Sequence, residues 1–205
     1  YPFSARWLAS IKEREGSFWA NHFSTIGLVG MEEACLNLFG KDGSLTTDTG
    51  QRFALAILTR LRELIISYQK KSGNFYNLEA TPAEGTSYRL AQRDRDQFPD
   101  IITAGSDVPY YTNSSQLPVG YTDDLFETLD LQDELQCQYT GGTVLHLYLG
   151  ERIESIEIAK RLLKTVFANY KLPYVSLTPT FSTCEDHGYL AGEQPVCPVC
   201  GKETE

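Results

Sequence analysis

Hydrophobic positions along the chain follow two patterns: short apolar runs, and longer stretches in which apolar residues recur at helical spacing. In the longest stretch Phe53, Ile57 and Leu61 lie four residues apart, which predicts an amphipathic helix of about four to five turns. A hydroxyl or carboxylate just before it, from Thr47 or Asp48, is predicted to cap this helix. The alternation of the two patterns is typical of an α/β protein.

Five apolar runs are predicted as strands, and stretches with helical spacing separate them. The runs are residues 23–30, 75–80, 109–112, 141–150 and 174–178. Strands and helices that alternate at these spacings favour βαβ crossovers, which join parallel neighbouring strands. The sequence therefore predicts an α/β fold with a five-stranded parallel sheet.

Small or hydroxyl-bearing residues follow four of these five strands. The predicted strand ends are Gly30, residues 81–87, residues 112–115, Gly150 and residues 178–180. In parallel α/β sheets, ligands bind at the carboxyl ends of the strands. This convergence favours a ligand site at that edge of the sheet.

The turn formed by residues 81–87 is the clearest candidate for an anion site. Thr81 is predicted to cap a helix, with Pro82 at its first position and Glu84 completing a capping box. An open helix N-terminus offers unpaired N–H groups and the positive end of the helix dipole to an anion. The alternative is a capped turn that binds no ligand. The candidate substrate-binding residues of this turn are Thr81, Ala83, Gly85, Thr86 and Ser87.

A second polar turn follows the third predicted strand. Asn113 and Ser114 form the tip of the run that begins at Pro109, and we expect both to join the candidate substrate site. The alternative is an Asn/Ser turn that is closed by Pro118 and has no ligand. The local sequence leaves both interpretations open.

A metal site is predicted near the end of the chain. Two residues separate Cys184 from His187 and Cys197 from Cys200, and nine residues lie between the two pairs. Three thiolates and one imidazole are a closed tetrahedral ligand set for a structural Zn²⁺. The alternatives are a disulfide between Cys197 and Cys200, or reduced cysteines without a metal. Cys35 lies on the apolar face of a predicted helix and is interpreted as a core residue.

Charge and composition exclude several classes of partner. The formal net charge is −9, which disfavours binding to a nucleic-acid backbone. No apolar run approaches the roughly 20 residues that span a bilayer, so we expect no membrane association. Five cysteines in 205 residues do not form a disulfide framework, which indicates a reducing, cytoplasmic setting. Because the chain begins at Tyr1, we interpret it as a piece of a longer protein.

Four motifs, in this order along the chain, resemble the anaerobic (class III) ribonucleoside-triphosphate reductases. They are Ser-Thr-Ile-Gly-Leu-Val-Gly-Met-x-Glu, Asn-Leu-Glu-Ala-Thr-Pro-Ala-Glu-Gly-Thr-Ser-Tyr-Arg, Tyr-Tyr-Thr-Asn-Ser and Cys-Glu-Asp-His-Gly-Tyr-Leu-x-Gly-Glu with the later Cys-Pro-x-Cys-Gly. The resemblance implies a ten-stranded α/β barrel made of two five-stranded parallel halves, of which this chain forms the second. Residues 1–180 are then the half-barrel, a wall of the substrate pocket, and residues 181–205 the zinc-binding segment.

The resemblance also implies an activity. Members of this family are oxidoreductases that remove the ribose 2′-hydroxyl of ribonucleoside triphosphates and so supply deoxyribonucleotides for DNA replication. They carry a glycyl radical on a C-terminal loop, which a radical S-adenosylmethionine activating enzyme installs. The reductant is formate or a thiol system, and the complete enzyme is expected to be a homodimer. Residues 81–87 are expected to face the substrate phosphates.

Three features of the family have no counterpart in the matched residues. These are the finger-loop cysteine that becomes a thiyl radical, the glycyl-radical motif and the ATP-binding regulatory region. We therefore assign no catalytic residue here and expect this polypeptide alone to have no reductase activity. Other family members have cysteine at the place of His187. The alternative function is a non-enzymatic interaction module, an α/β scaffold that carries a zinc ribbon.

Overall fold

The computed structural model describes residues 2–149, 153, 155–179, 181–192 and 194–204. The chain forms two compact units. The first consists of Tyr1–Gln116 and Gln138–Thr143, and the second of Leu117–Cys137 and Val144–Glu205. The predicted boundary between residues 180 and 181 lies within the second unit and stays a prediction. Gly150 and Thr180, two of the predicted strand ends, lie outside the described residues.

Helices and strands alternate in both units. The helices are α1 (Pro2–Trp7), α2 (Ala9–Glu15), α3 (Met31–Phe39), α4 (Asp48–Ser72), α5 (Glu84–Gln97), α6 (Leu125–Gln136) and α7 (Ile156–Asn169), with a 3-10 turn at Gly40–Gly43. The strands are β1 (Phe23–Leu28), β2 (Phe75–Ala80), β3 (Leu145–Leu149), β4 (Val175–Pro179), β5 (Phe181–Cys184) and β6 (Gly188–Ala191). Among the described residues, no helix combines the length and apolar composition that crossing a membrane requires.

The first unit is built on the parallel pair β1–β2, which α3 and α4 connect. Helix α4 begins at the predicted cap, because the Thr47 side chain accepts a hydrogen bond from the Gly50 amide, and it ends at Gly73 in the left-handed conformation. It packs on β2 and buries Leu58 and Leu78 completely. The long amphipathic helix and its predicted cap are therefore confirmed.

The second unit contains the parallel pair β3–β4 and a separate antiparallel hairpin, β5–β6. Leu145 and Leu147 of β3 form a core with Leu129 of α6 and Val166 of α7. The intervening His146 points to the opposite, exposed face, where its Nδ1 lies 2.7 Å from the Ser176 hydroxyl. One face of this strand pair is therefore apolar and covered, while the other is polar.

The described strands form three two-stranded sheets, and the predicted single sheet of five strands is not observed. Among the described residues, the third predicted strand contributes one isolated bridge, from Tyr110 to Ala104, and Asn113, the residue after it, forms another with Val29. The backbone N–H of Tyr111 donates to the Ser87 hydroxyl, and its C=O accepts from the same hydroxyl, so these groups pair with a side chain of α5 and not with a neighbouring strand. The β5–β6 hairpin had no period-two apolar pattern to predict it.

Candidate functional site

The four predicted metal ligands lie on two turns of the second unit. Cys184 ends β5 and pairs with Gly188 at the start of β6, so His187 lies on the turn of this hairpin. Gly188 has a φ of +70°, in the left-handed region that favours glycine. The hairpin therefore brings Cys184 and His187 to one tight turn, as their spacing predicts.

The second turn holds the other pair of ligands. The Gly201 amide donates to Cys197 O at 2.8 Å, and the Cys197 amide donates to Lys202 O at 2.7 Å. Gly201 also has a φ of +70°. On the outside of the site, Lys202 forms an ion pair of 2.6 Å with Asp186, a residue of the first turn. Backbone bonds thus shape the second turn, and an exposed ion pair joins it to the first.

The ligand atoms of these four residues converge on one point. The Sγ atoms of Cys184, Cys197 and Cys200 and a ring nitrogen of His187 all lie within 4.8 Å of one another. His187 Nδ1 is 3.6 Å from the Cys184 and Cys197 sulfurs, and the Cys184 and Cys200 sulfurs are 3.7 Å apart. A tetrahedral Zn²⁺ with its usual bond lengths has S···S edges of about 3.8 Å and S···N edges of about 3.6 Å. The donor set fits this ion in chemistry and in spacing.

Hydrogen bonds prepare one of the thiols for a metal. The amides of Cys200 and Val199 lower the pKa of Cys197 to about 6, although desolvation opposes them. At Cys200 the Lys202 amide also lowers the pKa, but desolvation and the neighbouring sulfurs outweigh it and raise the pKa. Thiolate is the form that binds metal, so the lowered pKa favours metal binding by Cys197.

The 81–87 turn belongs to the first unit and differs from its predicted form. Helix α5 begins at Glu84, after Ala83 in the left-handed conformation with a φ of +48°, and no side chain caps it. Thr81 therefore does not cap the helix, and the predicted capping box with Glu84 is wrong. The Thr81 hydroxyl is directed back towards β1, where a Cβ on Gly27 would overlap it. Contacts with the sheet thus override the local capping signal.

A single serine joins the two predicted substrate segments. The buried Ser87 hydroxyl donates to Tyr111 O at 2.8 Å and accepts from the Tyr111 amide at 3.0 Å. Ser87 lies in the first turn of α5, and Tyr111 lies two residues before Asn113. The structure therefore brings the 81–87 turn next to the segment formed by residues 111–114. Gly85 and Thr86 remain exposed at the open end of α5.

The 111–114 segment is held in a strained conformation. Ser114 is fully buried and has a φ of +40°, which is unusual for a residue with a side chain. Its carbonyl accepts from the Met31 amide at 3.0 Å, and Thr112 O accepts from the Gly30 amide at 2.8 Å. The Asn113 Oδ1 atom is buried, with no hydrogen-bond partner among the described residues. The start of α3 thus fixes the backbone on both sides of Asn113.

Sequence reasoning missed one residue at this place, Glu33. Its carboxylate accepts from the Thr112 amide at 3.0 Å and from the Thr112 hydroxyl at 2.5 Å, and the side chain is buried. Burial is the main cause that raises the pKa of Glu33, and the bonds from Thr112 oppose it. The neighbouring Glu32 is equally buried but accepts from the Leu45 amide at 2.7 Å. Glu33 is the last residue of the first family motif, Ser-Thr-Ile-Gly-Leu-Val-Gly-Met-x-Glu, so the sequence singled out the position. Acidic residues are ordinary in a first helical turn, so the motif did not indicate the contact with Thr112.

The two cysteines outside the metal centre show no sign of an activated thiol. Cys35 is fully buried, and desolvation together with the charges of Glu32 and Glu33 raises its pKa to about 11. The pKa of Cys137 is also raised, mainly by desolvation. A thiol must ionise to act as a nucleophile, so both are poorly suited to that role. The interpretation of Cys35 as a core residue is confirmed.

Comparisons with known proteins give one family. A family model described as "Anaerobic ribonucleoside-triphosphate reductase" matches residues 1–205. The enzyme of that name from Haemophilus influenzae is 26% identical over 184 residues, a match that covers 86% of this chain and 25% of the relative. The chain thus spans about a quarter of the length of the curated relatives it matches.

Solved structures with the same fold come from this family as well. The anaerobic ribonucleotide reductase from Thermotoga maritima, with MES in its active site, is 27% identical, with a TM-score of 0.71. This match covers 98% of the present chain and 34% of the Thermotoga chain. A second structure of the Thermotoga enzyme, in complex with dATP and CTP, has a TM-score of 0.70 at 24% identity over 96% of this chain and 33% of that one.

Proposed function

Because the chain belongs to the anaerobic ribonucleoside-triphosphate reductase family, we propose that it is part of an enzyme that reduces ribonucleoside triphosphates to deoxyribonucleoside triphosphates. The observation that carries this proposal is the match of the family model to residues 1–205. The match includes all residues before the metal centre. An interaction module built only around a zinc ribbon would not require these residues to resemble the enzyme family. The enzyme is therefore the better supported of the two functions.

The first unit is proposed to form part of the wall that binds the substrate phosphates. The amides of Thr86 and Ser87 bond to Ala83 O, and those of Glu84 and Gly85 have no partner among the described residues. Unpaired amides at a helix N-terminus attract a phosphate through hydrogen bonds and the helix dipole. The exposure of this end of α5 supports the assignment, because a ligand reaches it without displacing a side chain.

Backbone strain supports the same assignment for both segments. Among the described residues, the only non-glycine residues with positive φ are Asn21, Ala83 and Ser114. Strained backbone of this kind clusters at ligand-binding sites, where the surrounding structure holds it in place. Ala83 precedes the open turn of α5, and Ser114 lies in the neighbouring segment. The proposed substrate residues are Thr81, Ala83, Gly85, Thr86, Ser87, Asn113 and Ser114, with Ser87 acting through its bonds to Tyr111.

The metal centre is proposed to hold one structural Zn²⁺ on Cys184, His187, Cys197 and Cys200. Four protein ligands fill a tetrahedral coordination sphere, which leaves no position for a water or a substrate. The metal would therefore contribute folding free energy by tying the β5–β6 hairpin to the turn at residues 197–200. His187 presents Nδ1 towards two of the sulfurs, which supports its place in the ligand set.

The finer architecture and the partners are proposals that follow from the family. We infer that the two parallel strand pairs belong to a five-stranded half of the ten-stranded barrel in the complete enzyme. The glycyl radical, its radical S-adenosylmethionine activating enzyme, the formate or thiol reductant, the homodimer and the cytoplasmic location are assigned on the same basis. No described residue of this chain is assigned a step in the radical chemistry.

The activity is tested on the full-length protein that contains this chain. The protein should be purified and activated without oxygen, then supplied with ribonucleoside triphosphates and with formate or a thiol reductant in separate reactions. We expect deoxyribonucleoside triphosphates to form with one of the two reductants. An activated protein that carries the glycyl radical and forms no deoxyribonucleotide with either reductant would contradict the proposed function.

A further inference from the structure

The 111–114 segment has no regular hydrogen bonding of its own, so other elements must determine its conformation. Within the first unit it lies against two helix ends, the start of α3 and the start of α5. Gly30 and Met31 at the start of α3 donate to Thr112 O and Ser114 O. These backbone bonds fix the carbonyl side of the segment, and the amide of Thr112 must be satisfied in another way.

The Glu33 side chain supplies the hydrogen-bond acceptor that the Thr112 amide needs. Its two carboxylate oxygens accept separately from the Thr112 amide and the Thr112 hydroxyl. Both Glu33 and Thr112 are buried, at 2% and 4% exposure, so no solvent replaces either bond. A buried amide that loses its acceptor destabilises the conformation that buries it. The carboxylate of Glu33 thus holds the residue directly before Asn113.

We propose that Glu33 is a positioning residue of the substrate site, which keeps the Asn113–Ser114 turn in its binding conformation through Thr112. The proposal rests on the proposed function, because it takes Asn113 and Ser114 as substrate residues. Glu33 does not itself touch substrate, since its carboxylate is buried and both oxygens are engaged by Thr112. Removing its contacts releases the strained backbone at Ser114, and substrate binding weakens more than the chemical step does.

The neighbouring carboxylate provides a matched control. Glu32 has the same burial and lies in the same helical turn, but it holds Leu45, a residue outside the proposed substrate segments. Replacing either glutamate with alanine removes the same atoms from the same helix. A purely structural role for both residues predicts similar consequences for substrate binding, whereas a positioning role for Glu33 predicts different ones.

The test uses the full-length enzyme and measures KM and kcat for one ribonucleoside triphosphate. We expect Glu33→Ala to raise KM about tenfold with a smaller change in kcat, because the Asn113–Ser114 turn is proposed to bind the substrate equally in the ground state and the transition state. Glu33→Gln should restore KM to within about twofold, because its oxygen can accept from the Thr112 amide while its NH₂ group donates to the hydroxyl. Glu32→Ala should leave KM within about twofold of the parent enzyme, whatever it does to stability.

A second variant covers the case in which Glu33→Ala does not fold. Thr112→Val keeps the side-chain shape and the amide bond to Glu33 but removes the hydroxyl bond, and it should raise KM by about threefold. Asn113→Ala then separates the positioning role of Glu33 from the assignment of Asn113 to the substrate site. If it raises KM while the folded Glu33 and Thr112 variants do not, the positioning role is overturned and the substrate site stands. If Asn113→Ala also leaves KM unchanged, the substrate assignment and the positioning role both fail.

Discussion

The metal centre and the 111–114 segment are both held by polar contacts, but these contacts cover very different distances along the chain. In the metal centre, the close pairs of ligand atoms belong to residues 3, 10 and 16 positions apart. In the 111–114 segment, Tyr111 is bonded to a serine 24 positions away, and Thr112 to a glutamate 79 positions away. The first region is assembled locally, whereas the second depends on the packing of the unit around it.

This difference predicts that the two regions fail for different reasons. The strands beside the metal centre are only four residues long, and the large apolar side chains around it, Phe181, Tyr189, Val196 and Val199, are exposed, so its stability should depend on the bound ion. The 111–114 segment is held by hydrogen bonds from α3 and α5, so it requires both helices to be in place. A change to the metal ligands should therefore leave the segment intact, and a change to the contacts of the segment should leave the metal bound.

Loss of a metal ligand is expected to have the largest effect. Cys197→Ser in the full-length protein should remove the single zinc proposed for this centre and expose residues 181–204 to proteolysis, because the local fold loses its main source of free energy. Metal analysis and limited proteolysis measure the two effects. Cys137→Ser is the control, since Cys137 lies outside the ligand cluster. A Cys197→Ser protein that retains the metal and resists proteolysis would show that neither metal binding nor the local fold requires Cys197.

Loss of the hydrogen bonds between Ser87 and Tyr111, which link the two proposed substrate segments, should have a smaller effect that lowers stability and leaves the zinc bound. Ser87→Ala leaves the Tyr111 amide and carbonyl without their partner, which should lower the free energy of unfolding by about 1–3 kcal/mol. Denaturant unfolding measures this change, and metal analysis should find the zinc content unaltered. Ser10→Ala, at an exposed helical serine of the same unit, should change stability by less than about 0.5 kcal/mol. Zinc loss in the Ser87 variant would refute the independence of the two regions.

A pH dependence specific to the first unit is the smallest expected effect. Burial raises the pKa of Glu33 in the folded state, so the folded protein holds this proton more tightly than the unfolded chain does. Its contribution to stability is therefore greatest below the ordinary pKa of a glutamate and is lost as pH rises through the raised value. The other titratable groups coupled to it are Glu32, Cys35 and Tyr111.

Glu33→Gln removes this titration, so the parent should become less stable relative to the variant as pH rises through that range. Denaturant midpoints of both proteins over a pH series measure the difference. Glu32→Gln serves as the control for changing a buried carboxylate in the same turn. A difference between parent and Glu33→Gln that stays constant with pH would show that Glu33 does not titrate as its burial requires.

The sequence predicted the features that local chemistry decides. The spacing of Cys184, His187, Cys197 and Cys200 was sufficient to identify a cluster whose ligand atoms lie together, because each pair occupies a single turn. Thr47 capped the predicted long helix because its partner, the Gly50 amide, is only three residues away. Both predictions relied on contacts that the chain cannot avoid once the local turn forms.

The features that it did not predict depend on distant residues. Thr81 has all the local signals of a helix cap, but the glycine at position 27 leaves space that its hydroxyl occupies instead. The third predicted strand has its backbone groups taken by Ser87, and nothing near residue 111 indicates this. Glu33 acts on a threonine 79 positions away, which no local pattern reveals. Contacts of this range appear only when the fold is known.

The central claim is that the open turn of α5 binds the phosphates of a ribonucleoside triphosphate, and Gly85→Val tests it most directly. A Cβ at Gly85 meets no atom within 4 Å, and valine is no worse than glycine in a helix, so folding should not suffer. Equilibrium binding should be measured on the full-length parent and variant, with the triphosphate and with the corresponding nucleoside. We expect the variant to bind the triphosphate at least about fivefold more weakly and the nucleoside unchanged. Equal triphosphate affinity in the folded parent and variant would contradict the claim.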